Sequence, residues 1–200
     1  MHTAAMCLIG DMTTNLASRS DYRVGTWSLD PTHSTLSFSV RHLAISKVRG
    51  TFDSFEVTVV TPEDPSKISV TATVDVSSVN TAMEARDNHL RTSDFFLVEE
   101  HPHMTFASTD ITIDGDDFTL TGDLTLRGVT QSVTLTGEFG GIATDGYGQV
   151  KAGASASTKI NRTEFGVNWN AALEAGGFTL GDDVTINMEL QLVLAPETAA

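Results

Sequence analysis

The stretch WSLDPTHSTLSFSVRHLAISKVRG, residues 27–50, decides the fold. Its first feature is a predicted turn at Asp30–Pro31, because proline fixes its own φ and disfavours helix in the residue before it. Strict alternation follows, with apolar side chains at Leu36, Phe38 and Val40 on one face. A period of two is typical of a strand that is buried on one side. The same parity places His42 at the end of this face, where it either bonds a loop carbonyl or meets the polar end of an apolar ligand.

The same alternation recurs along most of the chain. Further strands are predicted at 55–59, 68–76, 104–113, 118–126, 133–139, 150–156 and 184–194. A bulge is expected between Ala107 and Asp110, where the apolar positions change face. Asp114–Asp116 and Arg127–Gly128 are predicted turns between neighbouring strands. Strands joined by short turns, without alternating helices, indicate an antiparallel all-β domain.

One segment departs from this pattern. Thr81 and Glu84 have the spacing of a capping box, which predicts a short helix that ends near Arg91. Phe95 and Phe96 follow on a further predicted turn. We expect this helical insert, at about residues 81–96, to cover an open end of a barrel.

Small residues on the apolar faces distinguish the two architectures that remain, a sandwich and a closed barrel. They are Gly122, Gly137, Ala152, Ala154 and Ala156. A packed sandwich core prefers large branched side chains at such positions. A barrel of about eight strands leaves room for one small ligand. Tight bends in the strands are the alternative explanation of the small residues. The pattern therefore favours a single extended antiparallel up-and-down β-barrel.

Composition limits the functions to be considered. The 200 residues predict one domain over residues 25–195, with a flexible extension at 1–24 and a short tail at 196–200. The net charge of −14 argues against nucleic-acid partners and against adsorption to an anionic membrane surface. Cys7 is the only cysteine, so no intrachain disulfide is expected. No basic start or long apolar run indicates a targeting signal or stable membrane insertion, and we expect a cytoplasmic location.

Six motifs, in order, resemble the YceI-like family of polyisoprenoid-binding, lipocalin-like barrels. They are W-x-L-D-P-x-H-S with F-x-V-R-H (27–42), G-x-F (50–52), R-D-x-H-L-R-x-x-D-F-F (86–96), H-P-H-M-T-F-x-S (101–108), G-D-L-T-L-R-G-V-T (122–130) and N-R-T-E-F-G (161–166). The resemblance covers nearly all of the chain beyond its first twenty-odd residues. It implies a lipocalin-like barrel around an apolar tunnel for a long isoprenoid, with no required cofactor, and it suggests a homodimer.

A tunnel of this kind needs apolar walls and a polar end. Inward parity predicts the walls at Phe38, Val40, Val57, Val70, Val74, Leu120, Leu124, Leu135 and Met188, with Phe95, Phe96, Met104 and Phe106 closing one end. A phosphate head group would need cations, and a quinone only one or two donors. The candidates are Arg41, His42, Arg49, Arg86, His89 and Arg91. An alternative role for Arg86 is a structural pair with Asp87 that fixes the insert to the barrel.

The function predicted from these features is non-catalytic binding, transport or storage of an isoprenoid, an isoprenyl phosphate or an isoprenoid quinone. The alternative is a lipocalin-like enzyme in which His33, His42, Asp87 and His89 supply acid–base chemistry. No nucleophile elbow, phosphate loop or zinc-helix motif is present in the sequence. A metal site at Glu100, His101 and His103 is disfavoured, because the sequence offers no clear further ligand.

Overall fold

The computed structural model describes residues 22–172 and 178–196. Within these residues the strands are β1 Gly25–Leu29, β2 Thr35–His42, β3 Ser46–Phe52, β4 Phe55–Thr61, β5 Ser69–Asp75, β6 Val79–Asn80, β7 His103–Asp114, β8 Asp117–Leu126, β9 Val129–Thr144, β10 Val150–Asn161 and β11 Leu180–Leu194. Helix α1 spans Glu84–Arg91, and short 3-10 helices lie at Pro65–Lys67, Val76–Ser78 and Arg162–Phe165. Most of the predicted extension (1–21) and tail (197–200) lies outside the described residues.

Eight of these strands close into a barrel. Their order is β1-β4-β5-β7-β8-β9-β10-β11, and β11 returns to β1 through the pair Trp27↔Leu194. All the neighbouring pairs are antiparallel. The predicted bulge is present as a register shift between Ser108 and Asp110. The prediction of an all-β antiparallel barrel of about eight strands with one short helix is therefore confirmed.

The remaining strands extend one end of the barrel. The first part of β11 pairs with β2, from Val184↔Val40 to Glu189↔Thr35, whereas its last residues pair with β1. Strand β2 pairs in turn with β3, and β3 with the two-residue β6. The turn at Asp30–Pro31 separates β1 from β2, so that the two strands pair with different parts of β11. We call the end beyond β2 and β3, which carries α1, the closed end.

The core has two parts that lie along the barrel. At the closed end, Val76, Phe165 and Val167 are buried with Phe95 and Met104. Further along, the buried residues are Trp27, Val57, Ala152 and Leu192. Alternate, inward-facing positions along neighbouring strands supply most of both clusters, as expected for a barrel wall.

The start of the helical insert differs from the prediction. Residues 81–84 form no capping box, because α1 begins at Glu84 after Met83, which makes no side-chain capping bond. The hydroxyl and amide of Thr81 instead donate to the carboxylate of Asp87. Arg86 also binds Thr81, through its hydroxyl and carbonyl oxygens at 2.7 Å each. Arg86 and Asp87 thus fix the insert through Thr81 rather than through a pair with each other. In the described part of the chain, no helix has the length and apolarity that crossing a membrane requires.

Aromatic rings fill the space above two glycines of the barrel wall. A Cβ atom at Gly137 would lie 2.3 Å from the carbonyl oxygen of Ser155 and 2.4 Å from the ring of Phe118. A Cβ atom at Gly122 would likewise lie 2.4 Å from the ring of Phe106. These glycines therefore permit close ring packing and do not themselves leave a void. Among the small residues on the apolar faces, the alanines are the ones that line open space.

Gly137→Ala should therefore destabilise the barrel by about 2 kcal/mol, because the new methyl group displaces both backbone and ring. Urea unfolding followed by circular dichroism measures the change. Gly146→Ala is the matched control, since nothing lies within 4 Å of a Cβ there. Equal unfolding midpoints for the two variants would contradict the packing described.

Candidate functional site: an apolar barrel cavity

The barrel encloses a cavity of about 250 Å³. Its walls are aliphatic and aromatic side chains from β1, β4, β5 and β7–β11, together with Leu36 of β2. No buried side-chain nitrogen or oxygen of the described residues lacks a hydrogen-bond partner. The wall consequently presents carbon to the cavity and leaves no buried side-chain polar group for a ligand to satisfy. Such a space suits a ligand that is held by burial alone.

Most of the predicted tunnel residues line this cavity. They are Val57, Val70, Val74, Met104, Phe106, Leu120, Leu124, Leu135 and Met188. Alternation also placed further residues on the same faces, although they were not among the predicted lining. These include Val59, Ile111, Phe118, Phe139, Ala152, Ala154 and Ala156. Trp27 was missed because it precedes the turn at Asp30–Pro31, and only its pairing with β11 brings it inside.

The other four predicted tunnel residues lie outside the cavity lining, at the closed end. Phe38 contacts Phe52, whose ring lies 5.9 Å from that of Phe96. Phe95 contacts Trp169 at 5.1 Å between ring centroids. These rings form an aromatic plug at the closed end. Of the four residues predicted to close one end, Phe95 and Phe96 lie in this plug, whereas Met104 and Phe106 line the cavity. Val40 pairs with Val48 and Val184 in the extension beyond the barrel.

The plug is held by arginines that donate to backbone carbonyls. Arg127 donates to the carbonyls of Phe95 and Gly166 at 3.0 and 2.9 Å. Arg162 is buried and donates to the carbonyls of Val167, Trp169 and Gly181. Both lie in motifs of the sequence, but only the structure shows that their partners are the segments that close the barrel.

The opposite end of the cavity is open. Tyr22, Arg23, Thr61 and Asp116 lie there, and the two charged residues are the only ones among the described cavity lining. The phenol of Tyr22 donates to the carbonyl of Pro62 at 2.6 Å. Burial, and then the nearby carboxylate of Asp64, raises the pKa of Tyr22. The phenol therefore stays protonated at neutral pH and offers its oxygen as an acceptor.

None of the six predicted head-group residues is part of the described cavity lining. Arg41 and Arg49 are exposed on the outer face of the β2–β3 hairpin, and His42 ends β2. Arg86 binds Thr81, and Arg91 donates to the carbonyls of Ser77 and Val79. The ring of His89 bonds the carboxylate of Asp94 at 2.8 Å. Three of the six are thus used to seat the helical insert.

The candidates for acid–base catalysis are dispersed. His33 is bound to Asp30, Asp87 to Thr81 and His89 to Asp94. None of these, nor His42, lines the cavity in the described part of the chain. No group of three or more histidine, cysteine or acidic residues in the described ranges has the geometry of a metal site.

A charged cluster outside the cavity fastens the turn between β1 and β2. Lys151 and His33 contact the same carboxylate oxygen of Asp30, at 2.8 and 2.9 Å. Lys151 also lies 3.5 Å from Asp145, in the loop between β9 and β10. These bonds, the one from Lys151 above all, hold the pKa of Asp30 well below its usual range.

Asp30→Asn should accordingly destabilise the protein by about 2 kcal/mol at neutral pH, since charge-assisted hydrogen bonds are lost. The lowered pKa means that the stabilisation is present above the unfolded-state pKa of about 3.9 and is lost as the pH falls below it. Urea unfolding of both proteins between pH 7 and pH 2 tests this. The difference should shrink below about pH 4. A difference that stays constant to pH 2 would contradict the assignment.

Comparison with known proteins agrees with the fold. The model of the YceI-like domain matches residues 27–192. A UPF0312 protein from Staphylococcus aureus is 41% identical over 160 residues, which is 79% of this chain and 91% of that protein. The solved YCEI protein of Campylobacter jejuni has a TM-score of 0.67 at 32% identity, over 78% of this chain and 90% of that one.

More distant structures share the fold. A polyisoprenoid binding domain from Saccharophagus degradans has a TM-score of 0.65 at 16% identity, and covers 84% of this chain and 98% of its own. Both the match to the family model and the identity to the curated relative extend over most of the barrel. The chain therefore belongs to the YceI-like family.

Proposed function

We propose that this protein binds one long isoprenoid lipid in its barrel cavity and carries or stores it without changing it chemically. The observation that supports this most is the lining itself, which is carbon along its length and carries charge only at the open end. A hydrocarbon tail has no hydrogen-bonding group, so a wall without free polar groups costs it nothing on entry.

The energetics favour a tail of several isoprene units. Burial contributes roughly 0.8 kcal/mol for each CH₂ group removed from water. A tail that fills the cavity therefore gains more than the free energy lost in ordering it and in fixing the complex. The solved neighbour that is described as polyisoprenoid-binding suggests the isoprenoid class, although at its low identity the likeness itself concerns the fold.

The head group of the lipid lies, in this proposal, at the open end. The guanidinium of Arg23 suits a carbonyl or a phosphate, and the phenol oxygen of Tyr22 can accept a hydrogen bond from a hydroxyl. At the closed end the aromatic plug and the helical insert leave no comparable opening in the described lining. The tail would thus enter first and extend toward Met104 and Leu124.

Binding rather than catalysis is proposed because the acid–base candidates do not face the cavity. His33 and His89 each bond a carboxylate away from the lining, and Asp87 is engaged by Thr81. An acid or base must come within hydrogen-bond reach of the atom it protonates. A ligand in the cavity has none of these groups beside it.

A quenching experiment tests the proposal with the two tryptophans of the chain. Trp27 lines the cavity, whereas Trp169 lies in the aromatic plug. Delipidated Trp169→Phe and Trp27→Phe variants, each with one tryptophan, are titrated with a brominated polyprenol. We expect saturable quenching of Trp27 at one lipid per protein, and weaker quenching of Trp169. Equal quenching, or none at either position, would overturn the proposal.

A further inference from the structure

The hairpin between β2 and β3 ends in exposed apolar side chains. Ile45 is 81% exposed and Leu43 is 36% exposed, whereas most large apolar side chains of the described residues are at least partly buried. Phe178, which is 66% exposed, directly precedes Thr179, and the carbonyl of Thr179 accepts a hydrogen bond from the Leu43 amide. Three large apolar groups are therefore presented to water at one end of the extended sheet.

Turn geometry does not require these residues. Leu43 and Ala44 have φ values of 52° and 59°, in the left-handed region that hairpin turns usually fill with asparagine or glycine. Non-glycine residues in this region carry a conformational cost, which is smallest for Asn and Asp. The chain thus has aliphatic residues at positions where the backbone favours polar or small ones.

Basic side chains flank these apolar groups on the outer face of the hairpin. Arg41 lies directly opposite Lys47, and Arg49 lies opposite Ser39 two positions along, so the three side chains share one face. All three are exposed, and none forms an ion pair with another described residue. No acidic residue occurs in the sequence from 31 to 52. We call residues 41–49 the basic hairpin tip.

The described acidic residues that lie near the basic hairpin tip on β11 are paired with other basic side chains. Strand β11 approaches Arg41 at Gly181, where a Cβ atom would lie 3.0 Å from that of the arginine. The following residues, Asp182 and Asp183, pair with Arg162 and Lys159 at 3.2 and 3.1 Å. Among the described residues at this end, the local charge is therefore positive, on a protein whose net charge is −14.

We propose that the basic hairpin tip is a docking surface for an anionic lipid bilayer. Aliphatic and aromatic groups that enter the interface, with arginine and lysine around them, are the combination that binds such a surface. The net charge of −14 would oppose binding to an anionic bilayer only if the charge were spread evenly over the surface. At physiological ionic strength, however, charges beyond about 8 Å are largely screened, so the face that touches the bilayer decides the sign of the interaction. The site is independent of whether the cavity holds a lipid.

Sedimentation with extruded vesicles tests this on the full chain. The vesicles contain phosphatidylcholine alone, or phosphatidylcholine and phosphatidylglycerol in a two-to-one ratio. We expect partition onto the anionic vesicles that decreases as salt is raised, and little onto the neutral ones. Lys47→Gln should lower the partition coefficient about fivefold, as expected for one basic residue at the surface. Lys67→Gln, which removes an exposed lysine away from the hairpin, is the matched control and should have no effect.

A second variant separates binding from folding. Leu43→Asn with Ile45→Thr puts a left-handed-tolerant residue in the turn and a β-former beside it, so thermal stability should stay equal or rise. Partition onto anionic vesicles should nevertheless fall at least tenfold. Unchanged partition for this variant, or equal binding to neutral and anionic vesicles, would overturn the proposal. The proposal would also be overturned if the partition of the unaltered protein onto anionic vesicles did not depend on the salt concentration.

Discussion

Ala154→Phe should empty the barrel of lipid while leaving the protein folded. Ala154 lies on β10 between Leu190 and Phe139, and its methyl group faces the cavity. A ring at this position occupies space that the tail would take. Each isoprene unit that is excluded loses about 4 kcal/mol of burial, so the affinity should fall by roughly 1,000-fold for each unit. Titration of the delipidated variant with a polyprenol, followed by the fluorescence of Trp27, measures the loss.

Ala143→Phe provides the matched control. Ala143 lies on β9 with its side chain exposed on the outer wall, so the same substitution adds a ring outside the barrel. Its affinity for the polyprenol should equal that of the unaltered protein. The unloaded Ala154→Phe variant should unfold within about 1 kcal/mol of the unaltered protein, because it fills an existing space. Loss of affinity in both variants would mean that the ring acts through folding and not through the cavity.

Arg162→Met should cause the largest loss of stability, about 4 kcal/mol. The guanidinium is buried and donates to three backbone carbonyls, those of Val167, Trp169 and Gly181. Methionine fills a similar volume but leaves these carbonyls without their donor. Urea unfolding gives the change in free energy, and faster release of bound lipid should accompany it, since the same segments seat the aromatic plug.

The control for Arg162 is an ion pair that is open to water. Lys159 contacts Asp183 at 3.1 Å, and both side chains are mostly exposed. Lys159→Met should change the free energy of unfolding by no more than about 0.5 kcal/mol. Similar midpoints for the two variants would show that the hydrogen bonds of Arg162 do not hold the closing segment.

Alternation of apolar and polar residues was sufficient to predict the barrel wall. Because side chains alternate between the two faces of a strand, the sequence pattern tells which face each one occupies. Val57, Leu120 and Met188 could therefore be assigned to the interior. The bulge after Ala107 and the turns at Asp114–Asp116 and Arg127–Gly128 were also predictable, because they depend on local residues.

Alternation does not show how far along the barrel axis each inward-facing side chain lies. Phe38 has the same parity as Leu36, yet it lies one step nearer the closed end, where its ring packs against Phe52 and not along the cavity. Closure through Trp27 and Leu194 joins residues at opposite ends of the domain, and no local pattern shows it. Thr81 and Glu84 have the residue types of a capping box, but the Thr81 hydroxyl donates to the carboxylate of Asp87 and not to the start of the helix.

The predicted head-group site shows the same limit for charges. Arginines and histidines near the insert suggested phosphate binding by their residue types alone. In the structure Arg86 and Arg91 hydrogen-bond to Thr81, Ser77 and Val79, and Arg41 lies on the outside. Arg86 and Arg91 are thus engaged within the fold, whereas Arg41 faces water away from the cavity. The predicted dimer and the predicted cytoplasmic location stay predictions.

Native mass spectrometry of the freshly purified protein, followed by solvent extraction and identification of the lipid, tests the central claim most directly. The account predicts one added mass per chain that extracts as a single isoprenoid class, and its absence from Ala154→Phe. A lipid-free mass that stays unchanged after incubation with polyprenols and isoprenoid quinones would contradict it. A bound fatty acyl lipid in place of an isoprenoid would support the cavity as a lipid-binding site but would overturn the proposed isoprenoid ligand.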